Sequence, residues 1–245
     1  MDYLYKKFAK YYDLCYSGKD YVKETKFLEA LIKKHKIKGK KILEVGSGTG
    51  NHAVHLEKKG FDIIGVDLNK EMLAVARKKS KKIKFFQGDM HSFNIKGEFD
   101  IILCLFSTMH YNTNISDLKK TLKNFYKHLK KGGLLVFDMG FNQERYSAKH
   151  PSHTGSWSRG DVELVRFMKS RRVKNHALIH GAYILFKDNK FYFGAETHTL
   201  GIFKTLDVKN LAERVGFNVK VYSDYKLVPW RGSSKKYVVF SCVKY

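Results

Sequence analysis

The sequence predicts an α/β fold built on a doubly wound parallel sheet, and three observations support this prediction. Between residues 41 and 140, short apolar runs without polar alternation alternate with stretches of helical periodicity, as in parallel strands that helices cover on both faces. The first apolar run leads into a glycine-rich loop at residues 46–50. The second run ends in Asp67, so a strand, a glycine loop, a helix and a spaced acidic residue follow one another as in nucleotide-binding sheets.

The parallel strands and their connecting helices follow in order. Apolar runs predict strands that begin with residues 41–43 and then cover residues 61–67, 83–90, 99–106 and, after a turn of two glycines, 134–137. Helical spacing predicts helices at residues 52–59, 70–79 and 116–129. In the last of these helices, Leu118, Leu122 and Phe125 recur on one face, which indicates packing against the sheet.

The glycine loop indicates which kind of nucleotide would bind. Glycine lets the backbone turn sharply and approach a ligand, and the N-terminus of the following helix offers free N–H groups. The dinucleotide-binding fingerprint places its third glycine where this chain has Asn51, which argues against a dinucleotide. Asp67 follows Gly46 by about 20 residues, the spacing of a carboxylate that accepts from ribose hydroxyls.

The remaining sequence predicts a helical N-terminal unit and an antiparallel C-terminal part. Ser17 and Asp20 indicate a capping box at the start of a helix, and Gly39 ends that unit. Residues 141–159 are rich in loop-forming residues, and a long loop beside a site is often a lid. Short turns predict an antiparallel meander of strands at residues 161–168, 176–186 and 190–200. A helix from Thr205 to Gly216 and strands at 217–222 and 237–243 follow.

The motifs along residues 41–140 resemble those of the class I S-adenosylmethionine (SAM) dependent methyltransferases. In order they are Glu-x-Gly-x-Gly-x-Gly, Val-Asp, Gly-Asp-Met, Phe-Asp-x-Ile and Lys-x-Gly-Gly. The resemblance implies a Rossmann-like, doubly wound sheet of seven strands whose last strand is antiparallel, and an antiparallel β insert after strand five. It also implies one domain over residues 1–245, divided into a helical cap (1–39), a SAM-binding core (40–140 and 201–245) and an insert covering the acceptor site (141–200).

The resemblance also implies a cofactor site for SAM, which becomes S-adenosylhomocysteine after transfer. SAM needs backbone near its methionyl group, acceptors for its ribose diol and adenine amine, and an apolar sandwich for the adenine ring. Glu44 would lie near the methionyl ammonium or would hydrogen bond to the loop backbone. The implied cofactor contacts are Tyr21, Glu44, Gly46, Gly48, Gly50, Asp67, Leu68, Asp89, Met90, Leu105 and Phe106.

Polar and aromatic groups sharpen the resemblance. Tyr-Asp-x-x-Tyr followed by Gly-Lys-Asp-Tyr, and Phe-Ser-Thr-x-x-Tyr after strand four, are similar to the amino-sugar N,N-dimethyltransferases and their glycine N-methyltransferase-like relatives. A third group, at residues 196–198, adds a glutamate for a cationic amine and a histidine. The predicted substrate contacts are Tyr12, Tyr16, Tyr111, Glu196 and His198. The predicted catalytic candidates are His110, Tyr12 and His198.

His110 departs from the pattern of this group, because several relatives have glycine at its position. It is either a base or acceptor clamp, or a histidine without a catalytic role. No metal site is predicted, because no third ligand accompanies the strand histidines His176 and His180 at a sensible spacing.

The predicted reaction is methyl transfer from SAM to a small-molecule acceptor, an amine such as an amino sugar or amino acid. Such a transfer is an in-line displacement, in which positioning supplies much of the catalysis. An RNA methyltransferase that uses a basic surface is the alternative, and a SAM-binding protein without catalysis is a third hypothesis.

Composition constrains the partners and the compartment. The net charge of +24 comes mostly from lysines in many short runs, so it fits either a nucleic-acid surface or bulk lysine enrichment. Three widely spaced cysteines predict no disulfide and fit the cytoplasm. The longest apolar run, residues 101–106, is too short for a membrane span. We expect a monomer or homodimer.

Overall fold

The computed structural model describes residues 3–144, 146, 152–232 and 237–245, which form two β-sheets and their flanking helices. In this part of the chain the strands are β1 (Lys41–Val45), β2 (Asp62–Asp67), β3 (Lys84–Gln87), β4 (Phe99–Cys104), β5 (Leu129–Met139), β6 (Ser152–Arg159), β7 (Val162–Val173), β8 (His176–Lys187), β9 (Lys190–Gly201), β10 (Phe217–Ser223) and β11 (Val238–Lys244). The helices are α1 (Tyr12–Cys15), α2 (Tyr21–Lys34), α3 (Asn51–Glu57), α4 (Lys70–Lys79), α5 (Ile115–His128) and α6 (Thr205–Val215), with 3₁₀ turns at Ala9–Tyr11 and Thr108–Tyr111.

The larger sheet has seven strands in the order β10-β11-β5-β4-β1-β2-β3. Strands β1 to β5 pair in parallel, whereas β11 pairs antiparallel with both β5 and β10. The predicted seven-stranded sheet with an antiparallel last strand is therefore confirmed. The strand order reverses between β1 and β4, which opens a crevice at the carboxyl ends of these strands, where such sheets bind ligands.

Helices cover both faces of this sheet, which explains why its strands are apolar without alternation. On one face, Leu122 and Phe125 of α5 and Leu211 of α6 pack with strand residues such as Leu43 and Phe137. On the other face, α2, α3 and α4 pack against residues including Ile42 and Ile101 of the strands. The doubly wound arrangement follows from this two-sided burial. Among the described residues, none of the helices combines the length and hydropathy that crossing a bilayer requires.

The smaller sheet is the predicted antiparallel insert after strand five, with the order β6-β7-β8-β9. Its β8 strand alternates in burial, because one face of the sheet packs inward. On that inner face Tyr183 and Leu185 pack with Leu4, Phe8 and Tyr12 of the N-terminal segment. The insert thus faces the N-terminal segment across an apolar layer.

The structure corrects two local predictions. Residues 152–159, predicted as part of a loop, form β6, because they pair with β7 over their whole length and satisfy their backbone groups there. Residues 145 and 147–151 of the predicted loop lie outside the described residues. Asp20, not Ser17, caps α2, because its carboxylate accepts from the Lys23 N–H at 2.9 Å.

The turn after β4 is held in an unusual backbone conformation. Phe106 and Ser107 have φ angles of 59° and 64°, which side-chain-bearing residues adopt rarely. The buried carboxylate of Asp138, at the end of β5, accepts from the Phe106 N–H at 2.6 Å and from the Ser107 N–H. The Tyr225 hydroxyl also donates to Asp138. These donors compensate the burial of the carboxylate and fix the turn.

Replacing Asp138 with asparagine should test this anchor. An amide can accept on one atom only, so a buried N–H in the turn would lose its partner, and we expect the free energy of unfolding to fall by about 3 kcal/mol in urea titrations. The control is Asp207→Asn, at an exposed position in the first turn of α6. This variant should change the free energy of unfolding by less than about 0.5 kcal/mol. Equal stability of Asp138→Asn and the wild type would contradict this role.

Candidate active site

A cavity of about 870 Å³ lies at the carboxyl ends of β1, β2 and β4, and both sheets and the N-terminal segment contribute to its wall. The structure therefore brings most of the predicted site residues to one place. The predicted residues that line the cavity are Tyr12, Tyr16, Tyr21, Glu44, Gly46, Gly48, Asp67, Leu68, Asp89, Met90, Leu105, Phe106, Tyr111, Glu196 and His198.

The glycine loop forms one wall of the cavity. Gly46 has a φ of 70°, and a Cβ at this position would lie 2.4 Å from Cγ2 of Thr108. A larger residue would therefore fill the space between the loop and the turn after β4. Gly50 does not line the cavity, which corrects its prediction as a cofactor contact. It precedes α3 with a φ of 75° and packs against the ring of Phe85 instead.

Asp67 lies at the end of β2, and its two carboxylate oxygens accept from different backbone segments. Oδ2 accepts from the Gly48 N–H and Oδ1 from the Asn69 N–H, both at 2.8 Å. Burial raises the pKa of Asp67, and these hydrogen bonds limit the rise. Each oxygen keeps a further lone pair, so the carboxylate can still accept from a diol in the cavity.

Asp89 follows the end of β3 and pairs with a neighbouring histidine. Its Oδ1 lies 2.6 Å from Nδ1 of His91, whose Nε2 lies 2.9 Å from Oδ1 of Asn112. Thr121 donates to the same Asn112 oxygen, which identifies that oxygen as an acceptor. Asp89 is thus oriented by contacts that the sequence motif did not reveal.

Glu44 is buried beneath the glycine loop and faces a chain of ionisable side chains. Its Oε1 lies 3.6 Å from Nδ1 of His52, and Nε2 of His52 lies 2.7 Å from Oε2 of Glu24. Lys19 donates to the other oxygen of Glu24. Burial raises the pKa of Glu44 to about 8, with a smaller contribution from the Asp67 carboxylate. Among the described residues, Oε2 of Glu44 has no hydrogen-bond partner.

Asp13 ties the N-terminal segment to the glycine loop. Its Oδ1 accepts from the hydroxyl of Thr49 at 2.6 Å and from the amide of Asn51 at 2.9 Å. Its Oδ2 lies 2.6 Å from Nζ of Lys79 at the end of α4. Asn51, which departs from the dinucleotide fingerprint, therefore holds the segment that carries Tyr12 and not a pyrophosphate.

Aromatic rings enclose the other end of the cavity. Tyr5, Tyr12 and Tyr16 follow one another, with ring centroids 6.0 Å apart for the first pair and 4.7 Å for the second. The Tyr5 ring also lies 5.1 Å from the ring of His198 and 6.5 Å from that of Tyr111. Burial raises the pKa of Tyr5 and Tyr12, so both phenols remain protonated at neutral pH.

Glu196 lies behind this aromatic end, where its side chain is only 1% exposed. Oε2 accepts from the Leu4 N–H at 3.0 Å, and Oε1 accepts from the Tyr183 hydroxyl and lies 3.0 Å from Nε2 of His198. Glu196 lines the cavity, and its direct contact with the acceptor stays a prediction. His198 is the group that Glu196 presents to the cavity.

His110 lies outside the cavity and is fully buried. Its Nδ1 lies 2.7 Å from the Gly201 carbonyl, and its Nε2 accepts from the Phe141 N–H at 3.0 Å. Burial lowers the pKa of His110 to about 4, so the ring stays neutral. The prediction of a base or acceptor clamp does not fit, since both ring nitrogens hold backbone groups of the insert.

The wall of the cavity carries carboxyl groups but, among the described residues, no Lys or Arg. The carboxyl groups of Glu44, Asp67, Asp89 and Glu196 belong to the lining, whereas none of its described residues is a Lys or Arg in a chain that contains 47. Arg166, the buried cation behind Tyr16, has its guanidinium 5.0 Å from the centres of both the Tyr16 and Trp157 rings. This environment favours cationic ligands.

Several residues that line the cavity belong to none of the sequence motifs described above. Tyr5 and Leu4 lie in the N-terminal segment, where only the high aromatic content could have signalled a role. Tyr183 lies on β8, and only its inward position on that strand would have indicated it. The described residues contain no cluster of three or more His, Cys, Asp or Glu side chains that could hold a metal ion.

The residues at the glycine-loop end fit SAM. The unpartnered Oε2 of buried Glu44 suits a methionyl ammonium, and the absent side chain of Gly46 leaves room for backbone contact with a ligand. Asp67 would accept from the ribose diol. Leu68 and Met90 would contact the adenine ring on the same side of the cavity as Asp89.

Comparison with known proteins agrees with this geometry. A family model described as "Methyltransferase domain" matches residues 42–133. The chain is 26% identical over 215 residues to a dTDP-3-amino-3,6-dideoxy-alpha-D-glucopyranose N,N-dimethyltransferase of Streptomyces fradiae, covering 86% of this chain and 84% of that protein.

Solved structures share the fold over nearly the whole chain. DesVI of Streptomyces venezuelae superimposes with a TM-score of 0.85 at 24% identity, covering 97% of this chain and 98% of that one. The SAM-bound amino pentose methyltransferase CalS10 of Micromonospora echinaspora gives a TM-score of 0.80 at 19% identity and covers 96% of each chain.

Asp67→Asn should weaken SAM binding. The amide keeps the size of the side chain but loses its charge and one acceptor, so we expect the dissociation constant measured by calorimetry to rise roughly tenfold to a hundredfold. The control Asp62→Asn, at the exposed start of β2, should leave the dissociation constant unchanged. Unchanged affinity in Asp67→Asn would exclude the ribose from this position.

Glu44 should make SAM binding depend on pH. Its pKa of about 8 keeps the carboxyl protonated in the free protein at pH 6 to 7, whereas the methionyl ammonium favours the carboxylate. Affinity should therefore rise with pH up to about 8, and binding at pH 7 should release a proton, measurable by calorimetry in buffers of different ionisation enthalpy. In Glu44→Gln, both the rise in affinity with pH and the release of a proton should disappear. The amine of SAM titrates in the same way whether the wild type or Glu44→Gln is present. An equal pH dependence of SAM affinity in these two proteins would therefore refute the role assigned to Glu44.

Proposed function

The chain is a class I SAM-dependent methyltransferase, and we propose that it transfers the methyl group to an amine nitrogen of a small molecule. The observation that carries this proposal is the continuous cavity. One end has the groups that fit SAM, and the other is an aromatic chamber with His198. A concave chamber lined by Tyr5, Tyr12, Tyr16 and Tyr111 suits a small molecule better than a polymer.

The chain's own residues would supply binding and orientation. Gly46, Gly48, Asp67 and Asp89 would hold SAM, which when bound supplies an activated methyl group. Tyr12, Tyr16 and Tyr111 would contact the acceptor and orient its nitrogen towards the other end of the cavity. Exclusion of water by the aromatic rings and a fixed approach geometry would provide most of the rate enhancement.

The relatives support an amine on a sugar ring as the acceptor. The Streptomyces fradiae protein is named for N,N-dimethylation of an amino sugar, and CalS10 is described as an amino pentose methyltransferase. A polar ring with an amine substituent would find hydroxyl partners among the tyrosines. The RNA alternative gains no support, since the described cavity wall carries carboxylates and no Lys or Arg to pair with phosphates.

Incubation with methyl-labelled SAM and separate pools of amino sugars, amino acids, alkylamines and bulk RNA would test the proposal. We expect label in a low-molecular-weight amine, with the added methyl on nitrogen by mass spectrometry. Asp67→Asn should transfer much less label at limiting SAM. Label confined to RNA, or to hydroxyl oxygens, would contradict the proposal.

A further inference from the structure

We propose that His198, held by Glu196, accepts a proton from the acceptor, and that this acceptor is a basic aliphatic amine that enters the cavity as an ammonium ion. The inference rests on the proposed function and specifies the chemical class of the amine. An ammonium nitrogen has no lone pair and must lose a proton before it can attack a methyl group. A weakly basic amine arrives neutral and needs no base.

Glu196 determines which nitrogen of His198 carries the hydrogen. Its carboxylate accepts from the Leu4 N–H and the Tyr183 hydroxyl, and its Oε1 lies 3.0 Å from Nε2 of His198. Burial alone would raise the pKa of Glu196, but the hydrogen bonds from His198 and Tyr183 outweigh it and lower the pKa. Glu196 is therefore an ionised acceptor, and Nε2 of His198 is the donor.

The other ring nitrogen of His198, Nδ1, faces the substrate chamber. Nδ1 lies 3.3 Å from the Tyr111 hydroxyl, which lies 3.1 Å from the Tyr5 hydroxyl. His198, Tyr111 and Tyr5 all line the cavity. Because Nδ1 lies at the cavity wall, a proton from the acceptor can reach it directly.

The surrounding groups leave His198 as the base in this chamber. Burial raises the pKa of Tyr5, Tyr12 and Tyr16, so none of these phenols becomes a phenolate at neutral pH. Glu196 already accepts from two protein donors, pairs with His198 and has a side chain only 1% exposed. An imidazole with a carboxylate on its far side can take a proton and be stabilised as an imidazolium.

The chamber also favours the charged form of the substrate. No Lys or Arg is among its described lining residues, and aromatic faces attract ammonium ions. The Tyr5 ring, 5.1 Å from the His198 ring and 6.0 Å from the Tyr12 ring, is positioned to contact such an ion.

The proposed reaction transfers one proton and then one methyl group. An N–H bond of the ammonium breaks, its proton bonds to Nδ1 of His198, and the amine keeps the electron pair. That pair then forms the N–C bond to the methyl group supplied by bound SAM, while the C–S bond breaks and its electrons stay on sulfur. The imidazolium of His198 returns its proton to solvent after the methylated ammonium product leaves.

The protonation state of His198 can be observed directly without turnover. In ¹⁵N-histidine-labelled protein at pH 7, we expect NMR to show His198 with its hydrogen on Nε2, with His198→Gln identifying the signals. Cyclohexylammonium should shift the Nδ1 resonance towards its protonated value, and aniline, which has the same ring size but is neutral, should not. A hydrogen on Nδ1 in the free protein, or an Nδ1 signal unaffected by cyclohexylammonium, would overturn the proposal.

Variants separate a base from a merely structural histidine. His198→Gln should lower kcat/KM for cyclohexylamine by about a hundredfold and that for aniline by no more than roughly threefold. Glu196→Gln should act in the same direction with a smaller loss, as a positioning residue. His180→Gln is the matched control, because His180 lies on β8 beside Thr197 and does not line the cavity.

The two proposals fail in different ways. If the acceptor screen labels amines but His198→Gln slows cyclohexylamine and aniline equally, the proton-acceptor role is wrong and amine methylation stands. If the screen labels no amine, the proposed function is wrong whatever the variants show. Should His198→Gln unfold, Glu196→Gln and the NMR titration of the wild type still decide the question.

Discussion

One carboxylate, that of Asp13, connects the two halves of this active site. It accepts from Thr49 and Asn51 at the glycine loop and pairs with Lys79 at the end of α4. The residue before it, Tyr12, lines the acceptor end of the cavity. The N-terminal segment is therefore fixed against the loop that would hold SAM, and the aromatic chamber is placed in line with it.

A second constraint acts on the opposite wall. The turn at Phe106 and Ser107 adopts a conformation that is unfavourable for both residues, and Asp138 stabilises it with a buried carboxylate. Phe106 packs edge-on against Tyr16, with ring centroids 5.1 Å apart. The strained turn thus supports the tyrosines of the acceptor chamber as well as the cofactor end. Tight hydrogen bonding at both walls matches a reaction in which orientation is the main source of catalysis.

The histidines of the chain show how context decides function. His110 and His198 belong to short polar motifs that looked equivalent in the sequence. His110 is enclosed between two backbone groups and stays neutral, so it joins the turn after β4 to the insert. His198 has one nitrogen on a buried carboxylate and the other towards the cavity. Only the arrangement of His198 leaves a ring nitrogen that can contact a ligand.

The sequence alone determined the alternating strands and helices of the large sheet and the residues at its carboxyl ends. Apolar runs and glycine loops are local signals, and parallel strands place their ends at one edge whatever the details of packing. Asp67, Asp89 and the glycine loop therefore reached the cavity as expected, although Gly50 turned out to serve packing.

Tertiary structure decided everything that depends on contacts between distant segments. Residues 152–159 became a strand because β7 offers them a partner, which their own turn-rich composition does not indicate. Tyr5 entered the cavity because its segment packs on β8 and β9, and Glu196 supports His198 because the Leu4 N–H and the Tyr183 hydroxyl hold its oxygens in place. The contact between Leu4 and Glu196 joins residues 192 positions apart, and the energies of these contacts depend on burial and geometry that no local pattern encodes.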